Sequence, residues 1–322
     1  MPSESSRPVV IASQLDPAVN ALLRAHPSQP TLIDVPSERP WEVASGADVL
    51  LVRPGPLWLG HGRSAAPAGW PGRLKWIFSA TTGVDFYPRW MITGETQMCC
   101  ARGVASEEIA EYVIAAILAQ AKDLDAIRAR SLADWQPKTL GRVQGSTVGI
   151  VGLGSIGTAV AKRALALGAR VIAVRRRPLP SPIAGVQLYE SVVDLVEESD
   201  HIVLALPATD LTYYLFDAKL LASVKPTAHL INVARGTVLD QTALMNALDE
   251  DELAYATLDV TEPEPLPDGH PIYSHPKVRL TPHVASIHPT INEALYEKIS
   301  HNLERYLRGE PLQERVDPVA GY

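Results

Sequence analysis

Residues 147–177 constrain this chain more than any other stretch, because they read in order as strand, glycine-rich turn, helix and second strand. The opening segment, TVGIV, is short, apolar and rich in β-branched residues, as in a parallel strand that is covered on both faces. Gly168 stands where a glycine commonly follows a helix, and residues 170–174 read as the next strand. Apolar residues recur at helical spacing between them, at Ile156, Val160, Ala161, Ala164 and Leu167. The stretch therefore predicts one βαβ unit of a parallel sheet.

Three glycines in the turn have the spacing G-x-G-x-x-G, at Gly152, Gly154 and Gly157. In such a turn the first glycine permits the tight bend, the second lets the backbone approach a pyrophosphate, and the third lets the helix pack closely on the strand. Ser155 and Ile156 then lie at the helix N-terminus, which favours an anion. The alternative is a glycine-rich connection without a ligand, but the flanking strands favour a dinucleotide site.

The second strand of the unit ends on three arginines, Arg175, Arg176 and Arg177. A site for NAD usually has Asp or Glu here to accept from the ribose 2′-hydroxyl, whereas arginine suits the 2′-phosphate of NADP. A solvated basic loop is the alternative interpretation. The arginines predict that NADPH is preferred and that NADH is at most a poorer cofactor.

Length and composition predict a globular protein and disfavour binding to nucleic acid or to an anionic membrane. A chain of 322 residues with 46% hydrophobic content suffices for about two domains with substantial cores. The net charge of −7 provides no basic field for nucleic acid or an anionic membrane. A local positive patch is therefore expected to serve a small ligand.

Cysteine usage and the N-terminus indicate the compartment. Cys99 and Cys100 are adjacent, which does not suit an ordinary disulfide, so both are expected to pack as reduced thiols. The opening MPSESSRPVV lacks the apolar core of a secretory signal, and no apolar run reaches the roughly 18 residues that span a bilayer. We expect a soluble cytoplasmic protein.

Two α/β regions follow from the pattern of apolar runs. The predicted strands are 9–12, 32–35, 49–52 and 74–78 in a smaller first region, then 201–206, 229–233 and 256–260 after the βαβ unit, with helices at 17–25 and near 217–223 and 241–248. Residues 54–72, rich in Gly and Pro, are expected to form a surface loop between two strands of the first region. The fold class predicted is α/β, with a doubly wound parallel-sheet (Rossmann) cofactor domain and a smaller, flavodoxin-like substrate domain.

Two long helices are also predicted. One begins at Ser106, with Ile109, Val113, Ile117 and Leu124 on one side, and is interpreted as a bridge between the domains. The other covers 289–308 and is expected to return to the first domain; its apolar face comprises Ile291, Leu295, Ile299, Leu303 and Tyr306.

Arginine, acid and histidine lie in three segments of the cofactor domain, two of which directly follow predicted strands. Arg235 follows one strand in NVARG, Asp259 and Glu264 leave another in LDVTEPEPLP, and His283 lies in TPHVAS. Open α/β sheets bind ligands outside the carboxyl ends of their strands, so these side chains are expected to converge there. Taken singly, each has an ordinary interpretation as an ion pair, a loop cap or a structural hydrogen bonder.

These motifs, in the order GLGSIG, NVARG, LDVTEPEPLP and TPHVAS, resemble the D-isomer-specific 2-hydroxyacid dehydrogenases over nearly the whole chain, and Arg175 resembles the NADP-preferring glyoxylate and hydroxypyruvate reductases among them. The resemblance implies that Arg235 anchors the substrate carboxylate, that His283 donates and accepts the proton, and that Glu264 pairs with it. Asp259 is implied to bind the nicotinamide carboxamide. Further implied cofactor contacts are Pro207, Val233, Ala234 and Ser286.

The resemblance also implies the domain organisation and the assembly. The substrate domain would comprise residues 1–104 and 287–322, the NAD(P)-binding domain residues 105–286, and two copies would form a homodimer through the cofactor domains. Thr82 and Gly83 fall in the implied substrate loop, where Thr81 and Thr82 replace the small residues that the family usually has. The pocket is therefore expected to differ from that of typical members.

Other members of the superfamily and other chemistries fit less well. Phosphite dehydrogenases look to have lysine at Thr82 and formate dehydrogenases glutamine at Glu264, and no regulatory domain follows Tyr322, so a longer phosphoglycerate dehydrogenase is disfavoured while a short one stays open. No zinc pattern or G-x-S-x-G elbow appears, and no metal is expected. Trp58, Trp76, Trp90 and Phe86 are expected in the core more than in a pocket.

The sequence thus predicts an oxidoreductase that reduces small 2-oxo acids, such as glyoxylate, hydroxypyruvate or a longer analogue, to D-2-hydroxy acids with NADPH. The alternatives are a nucleotide-binding sensor that resembles the family's corepressors and lacks turnover, or a short phosphoglycerate dehydrogenase. A carboxylate beside an imidazole favours its charged form, so Glu264 is expected to keep His283 protonated for the reductive direction.

Overall fold

The computed structural model describes residues 7–35, 40–55, 58, 65–177 and 179–322. It forms two compact units. The smaller comprises the described part of Met1–Val104 together with His288–Tyr322, and the larger is Ala105–Ile287.

The described residues form twelve strands and nine α-helices. The strands are β1 (Val10–Ser13), β2 (Thr31–Asp34), β3 (Val49–Val52), β4 (Trp76–Ser79), β5 (Gln97–Cys100), β6 (Thr147–Val151), β7 (Arg170–Val174), β8 (Val186–Tyr189), β9 (His201–Leu204), β10 (His229–Asn232), β11 (Tyr255–Leu258) and β12 (Val278–Leu280). The helices are α1 (Pro17–Arg24), α2 (Pro40–Ala44), α3 (Arg89–Ile92), α4 (Ser106–Ala121), α5 (Ser155–Ala166), α6 (Val192–Glu198), α7 (Ala218–Leu221), α8 (Gln241–Asp249) and α9 (Ile291–Leu307). Short 3₁₀ turns cover Leu132–Asp134, Gly236–Val238 and Pro271–Ser274.

The smaller unit is built on a parallel sheet with the strand order β2-β1-β3-β4-β5. Helix α9 packs against one face of this sheet through the buried residues Leu295, Ile299 and Leu303. The opposite face buries Trp58, whose indole N–H donates to Gln14. The expectation of a surface loop over 54–72 is therefore wrong at Trp58; residues 56–57 and 59–64 of that stretch lie outside the described residues.

The larger unit contains a seven-stranded parallel sheet with the order β12-β11-β10-β9-β6-β7-β8. The chain winds outward from β6 in one direction through β7 and β8, and in the other through β9 to β12, with helices on both faces. Its core divides accordingly: one buried cluster lies around α7 and α8, and another around α4 and α5. The predicted doubly wound sheet is confirmed.

Several predicted elements need correction. Helix α4 ends at Ala121, because Asp123 takes a positive φ of 47°, and Leu124 is exposed instead of lying on the buried side. Strands β5, β8 and β12 were not expected. Cys99 and Cys100 belong to β5, where both are buried as free thiols.

Candidate active site

The glycine-rich turn connects β6 to α5. Gly152 has a φ of +105°, and a Cβ atom there would lie 2.4 Å from the carbonyl oxygen of Ala205. At Gly157 a Cβ atom would lie 2.1 Å from the carbonyl oxygen of Gly152. Both positions therefore require glycine for the bend and for close packing of the helix on its strand.

Gly154 is different, because a Cβ atom there would meet no other atom within 4 Å. It is the N-cap residue of α5 and has no side chain to cap the first-turn N–H groups, which begin at Ser155 and Ile156. An uncapped helix N-terminus with open space beside it suits an anion such as a pyrophosphate. The residues present thus fit a dinucleotide at this turn.

The neighbouring strand β7 ends immediately before Arg175. One guanidinium nitrogen of Arg175 donates to the carbonyl oxygen of Pro180 at 3.0 Å, which holds the side chain within its own loop. Arg176 follows on the surface. The carboxyl edge beside the glycine-rich turn is therefore basic, and no carboxylate occurs between residues 175 and 177.

Arg235 follows β10 and is positioned by a fully buried asparagine that closes the loop. Asn232 accepts from the N–H of Ala234 at 3.0 Å and donates to the carbonyl oxygen of Arg235 at 3.0 Å. Val233 and Ala234 are themselves buried, and the Arg235 guanidinium donates to the Ala234 carbonyl oxygen at 2.8 Å. Asn232 was not among the predicted site residues, although its position after a buried apolar strand and before Arg235 was the available signal.

Gly236 brings this arginine loop against the acidic loop that follows β11. A Cβ atom at Gly236 would lie 2.0 Å from the carbonyl carbon of Thr261 and 2.5 Å from the nitrogen of Glu262. The two backbones touch here, so any side chain would separate the loop of Arg235 from that of Glu264. The final glycine of NVARG was also overlooked as a site residue.

Glu264 and His283 form a hydrogen-bonded pair. The Nδ1 atom of His283 lies 2.7 Å from Oε1 of Glu264, and Oε2 accepts from the N–H of Thr261 at 3.4 Å. Partial burial raises the pKa of Glu264, but the hydrogen bond and charge of His283, the Thr261 N–H and the charge of Arg235 together lower that pKa below its usual value. The carboxylate is thus ionised and accepts the Nδ1 proton. Nε2 is the ring nitrogen that this hydrogen bond leaves for another partner.

Asp259 holds the histidine loop in place. Only 3% of this residue is exposed, and its carboxylate accepts from the Thr281 hydroxyl at 2.6 Å, the Val284 N–H at 2.9 Å and the Ala285 N–H at 3.0 Å. Its own carbonyl oxygen accepts from the N–H of His283 at 2.8 Å. The observed contacts of Asp259 are therefore with the loop, and its contact with a nicotinamide carboxamide stays a prediction.

The other predicted contacts are distributed over both units. Pro207 lies beyond β9, where its carbonyl oxygen accepts from the Thr212 hydroxyl at 2.8 Å, and Ser286 follows the histidine loop. Thr82 and Gly83 belong to the smaller unit; the Thr82 hydroxyl donates to the Ala101 carbonyl oxygen at 3.4 Å. The larger unit alone brings Arg235, Asp259, Glu264 and His283 together.

Neither a metal centre nor a membrane span is found in the described ranges. Among these residues no three His, Cys, Asp or Glu side chains are grouped as metal ligands. No helix within the same ranges combines the length and apolar character needed to cross a bilayer.

Comparison with known proteins agrees with this arrangement. The profile of the D-isomer specific 2-hydroxyacid dehydrogenase, NAD binding domain, matches residues 114–285. The chain belongs to this family of oxidoreductases. It is 32% identical to the glyoxylate/hydroxypyruvate reductase A of Serratia proteamaculans (strain 568) over 262 residues, 78% of this chain and 82% of the relative.

Two solved structures are similar over almost the whole chain. A D-isomer specific 2-hydroxyacid dehydrogenase from Xanthobacter autotrophicus Py2, in complex with NADPH and MES, is 29% identical with a TM-score of 0.83. An NADPH-dependent glyoxylate/hydroxypyruvate reductase from Sinorhizobium meliloti, in complex with NADP and sulfate, is 28% identical with a TM-score of 0.80. Each comparison covers 98% of this chain and 100% of the other.

Gly154 and Gly157 provide a matched test of the dinucleotide site, because we expect only Gly157 to be required for packing. Gly157→Ala would gain up to about 1 kcal/mol of helix propensity, but the backbone overlap should outweigh this and destabilise the protein by roughly 1–3 kcal/mol. Gly154→Ala should change stability by less than about 0.5 kcal/mol while weakening NADPH binding, because its methyl group enters the open space at the helix N-terminus. Thermal unfolding and titration of tryptophan fluorescence with NADPH measure the two effects. Equal losses of stability in both variants would contradict the different roles of the two glycines.

Proposed function

We propose that this protein is an NADPH-preferring reductase of small 2-oxo acids, such as glyoxylate, hydroxypyruvate or a longer analogue, and that it produces the D-2-hydroxy acid. The observation that carries the proposal is the His283–Glu264 pair at 2.7 Å, which directs the second ring nitrogen of His283 away from the carboxylate for proton transfer. The charge of Arg235 acts on the same carboxylate. The family and the named reductases support this chemistry.

Each residue has a distinct part in this reaction. Arg235 binds the α-carboxylate of the substrate, because its planar fork of N–H donors matches a carboxylate and also polarises the adjacent ketone. When bound, the reduced nicotinamide supplies the hydride. As negative charge develops on the ketone oxygen, Nε2 of His283 donates a proton to it. Nδ1 keeps its own proton, which it donates in a hydrogen bond to Glu264. In the opposite direction neutral His283 accepts the proton from the hydroxyl group.

The lowered pKa of Glu264 sets the direction of its pH effect. The pKa is lower in the folded protein than in an unfolded chain, so the ionised carboxylate stabilises the folded state. Its contribution to the free energy of unfolding is complete above about pH 4.3 and is lost as the pH falls through the lowered pKa. Glu264 is therefore charged throughout the neutral range. Its negative charge then lies beside the imidazole of His283, 2.7 Å from Nδ1.

Glu264→Gln should shift the alkaline limb of the reduction profile to lower pH, because the amide is nearly the same size and has no charge. Oxidation, which needs neutral imidazole, should gain at the same pH values. The measurement is kcat against pH in both directions, under conditions where chemistry limits the rate. NADPH affinity should stay nearly constant and serves as the control. If the two enzymes have superimposable reduction profiles, Glu264 does not govern the proton donor.

The basic edge after β7 supports preference for NADPH. Arg175 and Arg176 stand where a carboxylate would otherwise bind the ribose hydroxyls, and charge-assisted hydrogen bonds contribute about 1.5–3 kcal/mol each. The two structural relatives described above contain NADPH or NADP. We infer at least a roughly tenfold preference.

Oxidation of NADPH and NADH with a panel of 2-oxo acids tests the function and the cofactor together. The panel contains glyoxylate, hydroxypyruvate and longer analogues, and phosphoglycerate oxidation is measured alongside. We expect turnover with NADPH, and Arg175→Asp should move the preference toward NADH. Arg177→Asp is the matched control, since it changes the same charge two residues further along the exposed loop. NADPH binding without turnover on any member would instead indicate a sensor, and NADH efficiency equal to that of NADPH would remove the cofactor assignment.

We also propose that two copies form a homodimer through their cofactor-binding units. The segment between α4 and β6 exposes large apolar side chains on this unit, with Leu132 87% and Trp135 76% exposed. Apolar side chains of this size, close together on one surface segment, favour burial against a partner. A second copy of the chain is the proposed partner.

Trp135→Asp should therefore shift the protein from dimer to monomer in light scattering at micromolar concentration, because a charge would be buried in the interface. Leu211→Asp is the control: Leu211 is equally exposed on the same unit but lies outside the segment. A monomeric wild type, or the same shift in the Leu211 variant, would refute the assignment of this segment to the interface.

A further inference from the structure

Tyr112 lies on α4 and reaches the histidine loop through a threonine. Its hydroxyl oxygen is 2.6 Å from Oγ1 of Thr281, and that oxygen is 2.6 Å from Oδ1 of Asp259. These three side chains come from α4, from the residue after β12 and from the residue after β11. The chain of hydrogen bonds thus links a long core helix to the loop that carries His283.

The available hydroxyl protons determine which group donates in each hydrogen bond between Tyr112, Thr281 and Asp259. The carboxylate of Asp259 accepts from the N–H groups of Val284 and Ala285, and Thr281 is the donor to its Oδ1 atom. A threonine hydroxyl has one proton, so once Thr281 donates to Asp259 it can only accept from Tyr112. Tyr112 is therefore a donor, and hydrogen bonds in such a series strengthen one another.

His283 has a backbone that depends on these contacts. Its φ of +53° is left-handed, a conformation that a residue with a side chain adopts only when its surroundings hold it there. The His283 N–H donates to the carbonyl oxygen of Asp259 at 2.8 Å, and the next two N–H groups donate to the Asp259 carboxylate. The position of the Asp259 side chain consequently fixes the direction from which the imidazole leaves the backbone.

We propose that Tyr112 is a positioning residue for the proton-transfer histidine, acting through Thr281 and Asp259. The inference rests on the proposed function of His283 as proton donor. Tyr112 touches none of the reacting groups named above, and its ring packs on the cluster around α4 and α5. Partial burial raises the pKa of Tyr112, so its hydroxyl keeps its proton across the range in which the enzyme would be assayed.

Removal of the single hydroxyl separates this role from packing. Tyr112→Phe keeps the ring and should lower kcat roughly 2- to 10-fold, the effect of one hydrogen bond, with KM for NADPH unchanged. Tyr255→Phe is the matched control, because Tyr255 is a half-buried tyrosine of the same unit, on β11, and takes no part in the hydrogen bonds from Tyr112 to Asp259. The control should retain wild-type kcat.

A double-substitution cycle tests the route through Thr281. Thr281→Val removes the connecting hydroxyl while keeping the shape, and Tyr112→Phe should then have no further effect on kcat. Thr281→Ser keeps the hydroxyl and should restore most of the activity. Multiplicative losses in the Tyr112→Phe/Thr281→Val variant would overturn the proposed route.

Amide hydrogen exchange provides a readout that does not need turnover. The peptide that contains residues 281–287 should lose protection in Tyr112→Phe and keep it in Tyr255→Phe, whether or not the panel identifies a substrate. Unchanged exchange in Tyr112→Phe would overturn the inference even if the wild type is active. A wild type without turnover, together with the expected loss of protection, would instead refute the proposed function and leave the positioning of the loop supported.

Discussion

The register of the seven-stranded sheet is the constraint on which the candidate site depends. Parallel pairing places seven residues in one row across the sheet: Tyr189, Val174, Val151, Leu204, Asn232, Leu258 and Leu280. Each is the last residue of its strand. The chain therefore leaves all seven strands at one edge, and the residue types that follow the row determine the chemistry there. A register slip of one residue in any strand would turn its alternate side chains to the other face and move its loop relative to its neighbours.

Close approach of backbones then converts this common edge into a site. Gly157 lets α5 begin directly against β6, and Gly236 lets the loop of Arg235 touch the loop that carries Glu264. Asn232 fixes the Arg235 loop from within by two hydrogen bonds, and the His283 loop is fixed by N–H groups that donate to the Asp259 carboxylate. The loops after β10, β11 and β12 are thus tied to one another by backbone contact at Gly236 and by hydrogen bonds to the buried Asp259, and the half-exposed Glu264–His283 ion pair is only one of these contacts. This matters because surface ion pairs contribute little and are screened by salt.

The sequence was sufficient for the parts of the fold that depend on local pattern. The βαβ unit around Gly152 combines apolar strands, helical periodicity and a terminal glycine within one stretch, so β6, α5 and β7 could be predicted almost to the residue. Strands β8 and β12 could not, because VQLY and VRL are short and partly polar and become strands through pairing with β7 and β11. Leu124 fitted the helical period of α4, but the helix had already ended at Ala121. The types and order of Arg235, Glu264 and His283 were readable. The supporting parts of Gly236 and Tyr112 were not, since each depends on a contact distant in sequence. Asn232 makes only local hydrogen bonds, and its position before Arg235 was a signal that the prediction missed.

The two acids of the site show why residue type alone does not determine a role. Asp259 is almost completely buried and accepts hydrogen bonds from three donors of one loop, so moving it would leave those donors unpaired in the interior. Glu264 is half-exposed, and its pKa responds to the charges of His283 and Arg235. A buried carboxylate with fixed donors maintains geometry, whereas a half-exposed carboxylate interacts with the charged groups beside it, which here lower its own pKa. The same loop after β11 supplies both, five residues apart, so the acid that holds the backbone of the histidine loop and the acid that pairs with the imidazole are separate residues.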